Sequence, residues 1–195
     1  VFELTAHWRR ADQPVAAHHL AEVLLDRAAY ERTRGVAQQA ARLARATRLP
    51  RAARAVLLCG AWLHDAGRAL GPGHGPVLGA RALRGAGHED LARLVAHRGG
   101  SALDARLRGF PDVEDEFPVP AGAAQGLLTL LDVATVTTSA EGAPASPAAL
   151  LAELRELLPP GDPAVRVLID LVARLGEEPA SRALVEHLAL RATAG

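Results

Sequence analysis

Apolar side chains along this chain recur every three or four residues rather than every second one, and Gly, Pro, Ser and Asp interrupt them at short intervals. The pattern predicts helices throughout and almost no strand. After Pro14, VAAHHLAEVLLDRAAY gives a first amphipathic helix. RTRGVAQQAARLARA gives a second, with Val36, Ala37, Ala40, Leu43 and Ala44 on one face. A third is expected in RAARAVLLCGAWLHDAG, where Ala53, Val56, Leu57, Gly60, Ala61 and His64 share a face and Gly67 marks the stop. His64 and Asp65 then fall in the last turn of a mostly buried helix.

Beyond the Gly/Pro loop RALGPGHGP, VLGARALRG predicts a short helix closing at Gly85. HEDLARLVAHRGG predicts another, with acids at its start and His97 and Arg98 at its end. FPDVEDEFPVP reads as an acidic surface loop, AGAAQGLLTLLDVATVTT as a longer helix, and SAEGAPASP as a flexible linker. Three C-terminal helices are expected: Pro147 to Leu158 capped by Ser146, Pro163 to Leu175 capped by Asp162 and stopped at Gly176, and one from Pro179. The expectation is one all-α domain over residues 1–195, with a helical core at about 14–139 and a C-terminal helical appendage at about 146–192.

Composition sharpens this only in places. Every one of the 22 cations is Arg, a bias that reflects GC-rich coding more readily than selection for phosphate. The net charge of zero conceals an asymmetry: residues 1–109 carry 17 Arg against 9 acids, and residues 110–195 carry 5 Arg against 13. Two complementary halves packing together explain this. A positive field in any first-half pocket, attractive to anions, is the sharper alternative. With no basic tail, no Arg run interleaved with aromatics and no zinc-finger spacing, nucleic acid is not an expected partner. No stretch approaches the ~20 apolar residues of a membrane span, and VFELTAHWRR lacks a signal-peptide core. The single Cys59 lies in an apolar run and reads as an inert buried thiol. A cytoplasmic location is expected, with no membrane partner; self-association as a homodimer stays open.

A carboxylate behind AVLLCGAWL must meet a cation, a metal or strong donors, because an unpaired buried charge is expensive. AWLHDAGR, the His74 to Ala80 segment with its Gly-Ala pair, and LVAHR at 94–98 resemble successive motifs of the HD-domain superfamily. These are helical proteins, many of them metal-dependent phosphohydrolases. The resemblance runs from about Tyr30 to Ser139. It implies an HD-type bundle with additional C-terminal helices, with His64 and Asp65 as catalytic and metal-binding residues and His74 and His97 as further metal ligands. It also implies one divalent ion (Fe, Mn, Zn, Ni or Mg), or none if the site has decayed.

Two positions depart from the family pattern. Arg32 stands where an early His is expected, and Thr135 where a late Asp is expected. Asp132 lies at the edge of the apolar arc and is not expected to turn inward. His18, His19 and His88 remain replacement ligands without a motif, His187 reads as a surface residue and His7 has the weakest claim. Asp65, His74 and His97 would make an adequate mononuclear site. Alternatively, Arg32 pairs with Asp65 and removes the need for metal, while Arg68 and Arg98 keep the cavity attractive to phosphate; for Arg68 a solvated helix-end cation is the plainer reading. Two functions follow: a phosphohydrolase acting on a nucleotide or other small phosphate ester, or an inactive relative that holds a phosphorylated ligand or a protein partner.

Overall fold

The computed structural model describes residues 7–193, and side chains as far as residue 189. The fold is all-α, and among the described residues only an isolated bridge between Thr138 and Pro144 has β geometry. The helices are α1 (Pro14–Leu24), α2 (Arg27–Ala46), α3 (Arg51–Leu63), α4 (Gly75–Gly85), α5 (Glu89–His97), α6 (Ser101–Leu107), α7 (Val113–Glu116), α8 (Ala123–Val136), α9 (Pro147–Leu157), α10 (Pro163–Glu177) and α11 (Pro179–Thr193). Among the described residues no helix is long and apolar enough to cross a membrane.

α3 is central and packs against α1, α2, α5 and α8. Its Leu57, Cys59, Ala61 and Leu63 are completely buried, and burial pushes the Cys59 thiol up to about 12, which keeps it unreactive. α10 lies across α6, α8, α9 and α11, and Leu150, Leu171 and Leu188 of the last three helices join the same apolar cluster as α3.

Several boundaries differ from the sequence expectation. The first break comes at Leu25 and Asp26 rather than after Tyr30, because the Asp26 side chain accepts from the Ala29 N–H and caps α2. Gly67 serves as a close contact rather than a stop: a Cβ there would meet the Gly75 carbonyl oxygen, so its absence lets the Ala66–Ala69 3-10 turn press on the start of α4. The acidic segment is not wholly a surface loop. Asp112 caps α7, and Val113 and Phe117 enter the core. The expected flexible linker is a hydrogen-bonded turn, in which Ser139 N–H donates to Ala143, Ala145 N–H to Thr137 and Ala140 N–H to the Glu153 carboxylate. It docks on α2 where Gly35 and Gly142 touch backbone to backbone. α10 continues through Gly176 to Glu177.

Candidate functional site

α3 ends at Leu63, so His64 and Asp65 sit just past the last turn, at its C-cap and at the entry to the 3-10 turn. Both are buried, at 1% and 3% exposure. A carbonyl can only accept, so His64 Nδ1–H donates to Ala61 O at 2.8 Å. Burial lowers the His64 pKa to about 4, leaving a neutral ring with a bare Nε2. That Nε2 lies 3.6 Å from Asp65 Oδ2, and neither atom has a hydrogen-bond partner. Burial alone would raise the Asp65 carboxyl. The surrounding guanidiniums, Arg98 foremost, hold it well below the usual carboxylate range.

Arg98, not Arg32, is the direct partner of Asp65. Its Nη2 donates to Asp65 Oδ1 at 2.5 Å and its Nε to the His64 carbonyl at 3.0 Å, so one planar fork fixes both the carboxylate and the end of α3. The chain can present Arg98 in this way because it leaves α5 in extended conformation and turns through Gly99 (φ 61) and Gly100 (φ 74), the left-handed region that favours glycine. Among the described residues Arg32 makes no hydrogen bond or close ion pair, and its buried Nε is unpartnered. Burial lowers its pKa; the field of Asp65 opposes that shift, and Arg98 and Arg68 reinforce it. Arg68 is mostly exposed and lies 3.7 Å from Asp65 Oδ2. Three cations therefore surround one carboxylate.

Among the described residues the four residues of the implied metal set form no group that could hold a metal ion. Asp65 and His74 line one cleft of about 760 Å³, together with Arg32, Arg68, Arg98 and Thr135. His74 Nε2–H faces Asp104 Oδ2 at 3.2 Å, and Asp104 also takes Arg108 at 2.8 Å. His97 is not part of the cleft lining and donates from Nε2 to the Phe117 carbonyl at 2.6 Å. Asp132, contrary to expectation, is buried at 6% exposure; Oδ1 accepts from Gly99 N–H at 2.6 Å, and burial pushes its carboxyl up to about 7. The Thr135 hydroxyl donates to Leu131 O within α8. The remaining histidines are engaged elsewhere: His18 with the Tyr30 hydroxyl, His88 with Trp8 O, His19 beside Glu22, while His187 is exposed. His7 stacks at a tilt on His19.

The order of α2, the His-Asp step after α3, His74 at the start of α4 and His97 at the end of α5 fits a family model. Residues 29–124 match the HD domain. This chain belongs to the HD-domain superfamily. No curated protein and no solved structure matches it at a significant level. The matched segment contains Arg32, His64, Asp65, His74 and His97, and ends before Thr135.

Metal-dependent phosphohydrolases are prominent in the HD superfamily, and the donor set of this chain can be tested against such an ion. His64 Nε2 and Asp65 Oδ2 are oriented as two ligands would be. No third joins them: a guanidinium stands at Arg32, the Thr135 hydroxyl is spent on its own helix, His97 is bound to the Phe117 carbonyl, and His74, whose Nδ1 is buried without a partner in the same cleft, forms no group of three with them. Among the described residues no group of three His, Cys, Asp or Glu side chains could hold a metal ion. A divalent ion in such a site needs about three or four protein ligands. The residues present therefore do not fit a resident metal.

Arg98 and the buried Asp132 are what sequence reasoning misassigned. The HRGG run, a cation before two glycines, was the signal for the first. For Asp132 there was none, since its partner is a backbone N–H brought in from another element.

Proposed function

We propose that this HD-domain protein binds a small phosphorylated or otherwise anionic molecule at a guanidinium cluster and does not turn it over through a resident metal. The observation that carries the reading is the cluster of three guanidiniums, Arg32, Arg68 and Arg98, around the single carboxylate of Asp65 in a cleft of ligand size, whose lining also holds Asp26, Asp104, Asp162 and Arg108. Arg98 is engaged by Asp65 and the His64 carbonyl, whereas among the described residues Arg32 Nε has no hydrogen-bond partner and Arg68 reaches Asp65 only at 3.7 Å. An incoming oxyanion would satisfy both, and the low dielectric around Arg32 strengthens that attraction.

The hydrolase reading retains one specific support, the two facing acceptors His64 Nε2 and Asp65 Oδ2. Metal analysis of protein purified without chelator and without a metal-affinity column separates the two. Binding without turnover predicts well under one equivalent of any transition metal. It also predicts no release of p-nitrophenol from its phosphate mono- and diesters on adding Mn²⁺, and calorimetric binding of inorganic phosphate that weakens in Arg32→Gln and Arg68→Gln. Near-stoichiometric metal that disappears in Asp65→Ala, or metal-stimulated phosphate release, would instead establish the hydrolase.

A further inference from the structure

The cleft is bounded on its other side by the C-terminal helices, and that side has a different chemistry. Along α9, Leu150, Leu154 and Leu157 follow one another at i, i+4 and i+7 and form a single stripe, extended by Leu158. On α10, Ala164, Val167, Leu168 and Leu171 repeat the same spacing. Both stripes contribute to the lining of the cleft. Leu150 and Leu171 are buried at its base, Leu154 is half-buried, and Leu157 is 63% exposed at the rim. An apolar wall beside a void forfeits contacts that an apolar occupant would restore.

We infer that the ligand of this cleft is an amphiphilic anion, with a phosphate-like head at Arg32 and Arg68 and a single hydrocarbon chain lying on the Leu150–Leu154–Leu157 stripe. The inference rests on the anion-binding reading above. Inorganic phosphate would leave most of the ~760 Å³ without a partner. A nucleobase would bring polar edges to a wall whose one polar side chain is already engaged: Asp162 Oδ1 takes Arg108 at 3.0 Å and the Ala164 N–H at 2.8 Å. Uncompensated polar groups weaken binding in such a place, whereas methylenes fit it. Because helices stand on both sides, the occupant is one dispersed molecule rather than the surface of a bilayer.

The experiment is a calorimetric series on the full chain with inorganic phosphate and butyl, hexyl and octyl phosphate below their micelle concentrations. Adenosine monophosphate and octanol serve as comparisons. Affinity is expected to rise by about two- to fourfold per methylene. Leu157→Gln, at an exposed position that leaves folding intact, and Leu154→Gln should flatten that rise while phosphate binding itself stays unchanged. Arg32→Gln should lower every member of the series by a similar factor. If phosphate binds but octyl phosphate is no tighter than butyl phosphate, or adenosine monophosphate exceeds both, the amphiphile inference is overturned and the anion reading survives. If neither phosphate nor any ester binds, or octanol binds as well as octyl phosphate, the anion reading itself falls. Co-sedimentation with phosphatidate vesicles in place of monomer binding would also overturn the inference.

Discussion

At the scale of single residues, Arg98 and Arg32 separate stability from binding. Arg98→Met leaves Asp65 buried at 3% exposure without its ion-pair partner, and unfolding in urea should show a loss of about 3–5 kcal/mol. Arg98→Lys should not restore it, because an ammonium cannot hold the His64 carbonyl and Asp65 Oδ1 in one plane. Arg32→Met removes a cation that has no direct bond and feels two others, so stability should change by less than about 1 kcal/mol while phosphate affinity drops. Replacing the two departed ligand positions together, Arg32→His with Thr135→Asp, should not create tight Mn²⁺ binding while Arg98 occupies Asp65. Adding Arg98→Gln should create it, as read by calorimetry.

Two buried groups titrate in opposite senses. His64 is lowered to about 4, so between its unfolded value of ~6.5 and 4 the unfolded chain binds more protons, and stability falls as pH falls. Asp132 is raised to about 7, so between its unfolded value of ~3.9 and 7 the folded chain binds more protons, and stability falls as pH rises. The two slopes offset each other between about pH 4 and 6.5. Asp132→Asn keeps an acceptor for Gly99 N–H and deletes one slope. Relative to the parent it should match near pH 4 and gain up to about 4 kcal/mol by pH 8, and it should show a steeper acid loss. Equal pH profiles for the two proteins would rule this out.

At the scale of elements, glycine has two opposite uses. Gly35→Ala would drive a methyl group into the Gly142 carbonyl and lift the 139–145 turn off α2, taking the start of α9 with it. The melting transition should fall by the equivalent of at least about 2 kcal/mol, with octyl phosphate binding lost as the leucine stripe shifts. Gly126 lies inside α8 in ordinary helical conformation with open space where a Cβ would go, so Gly126→Ala should stabilise by about 0.5–1 kcal/mol without affecting binding. Opposite signs at the two positions distinguish a docking contact from mere helix propensity.

At the scale of the molecule, the last three helices are part of the core. Leu150, Leu168, Leu171, Leu175 and Leu188 belong to the same buried cluster as Leu57 and Leu131. Ending the chain at Ser146 would uncover the α6 and α8 surfaces that α10 covers. The truncated chain should retain helical far-ultraviolet dichroism but lose near-ultraviolet signal and bind an apolar dye. A truncated chain with a cooperative transition like the parent's would show that the cleft wall is added to a finished domain.

What the amino-acid sequence determined by itself is whatever depends on neighbours along the chain. Helical spacing, Pro14, Asp162 and Ser146 gave the helices, and AWLHDAGR followed by the His74–Ala80 and LVAHR segments gave the superfamily, with the His-Asp pair at the end of a buried helix. Asp65, Arg32, Arg68, Arg98 and His74 line one cleft. Where the sequence misled, the deciding contacts join residues far apart in the chain. Arg98 reaches Asp65 across 33 positions, Gly99 N–H holds the Asp132 carboxylate across the same number, and the Phe117 carbonyl engages His97 across 20. Helix periodicity says which face of an element is apolar, not which carbonyl or carboxylate another element will bring to it. Charge pairing in the interior is settled by distances of a few ångströms, because the Coulomb energy of two charges falls as their separation grows. Only the packed bundle decided that Arg98, rather than Arg32, would bond directly to Asp65, and that leucines from the C-terminal helices would line the same cleft.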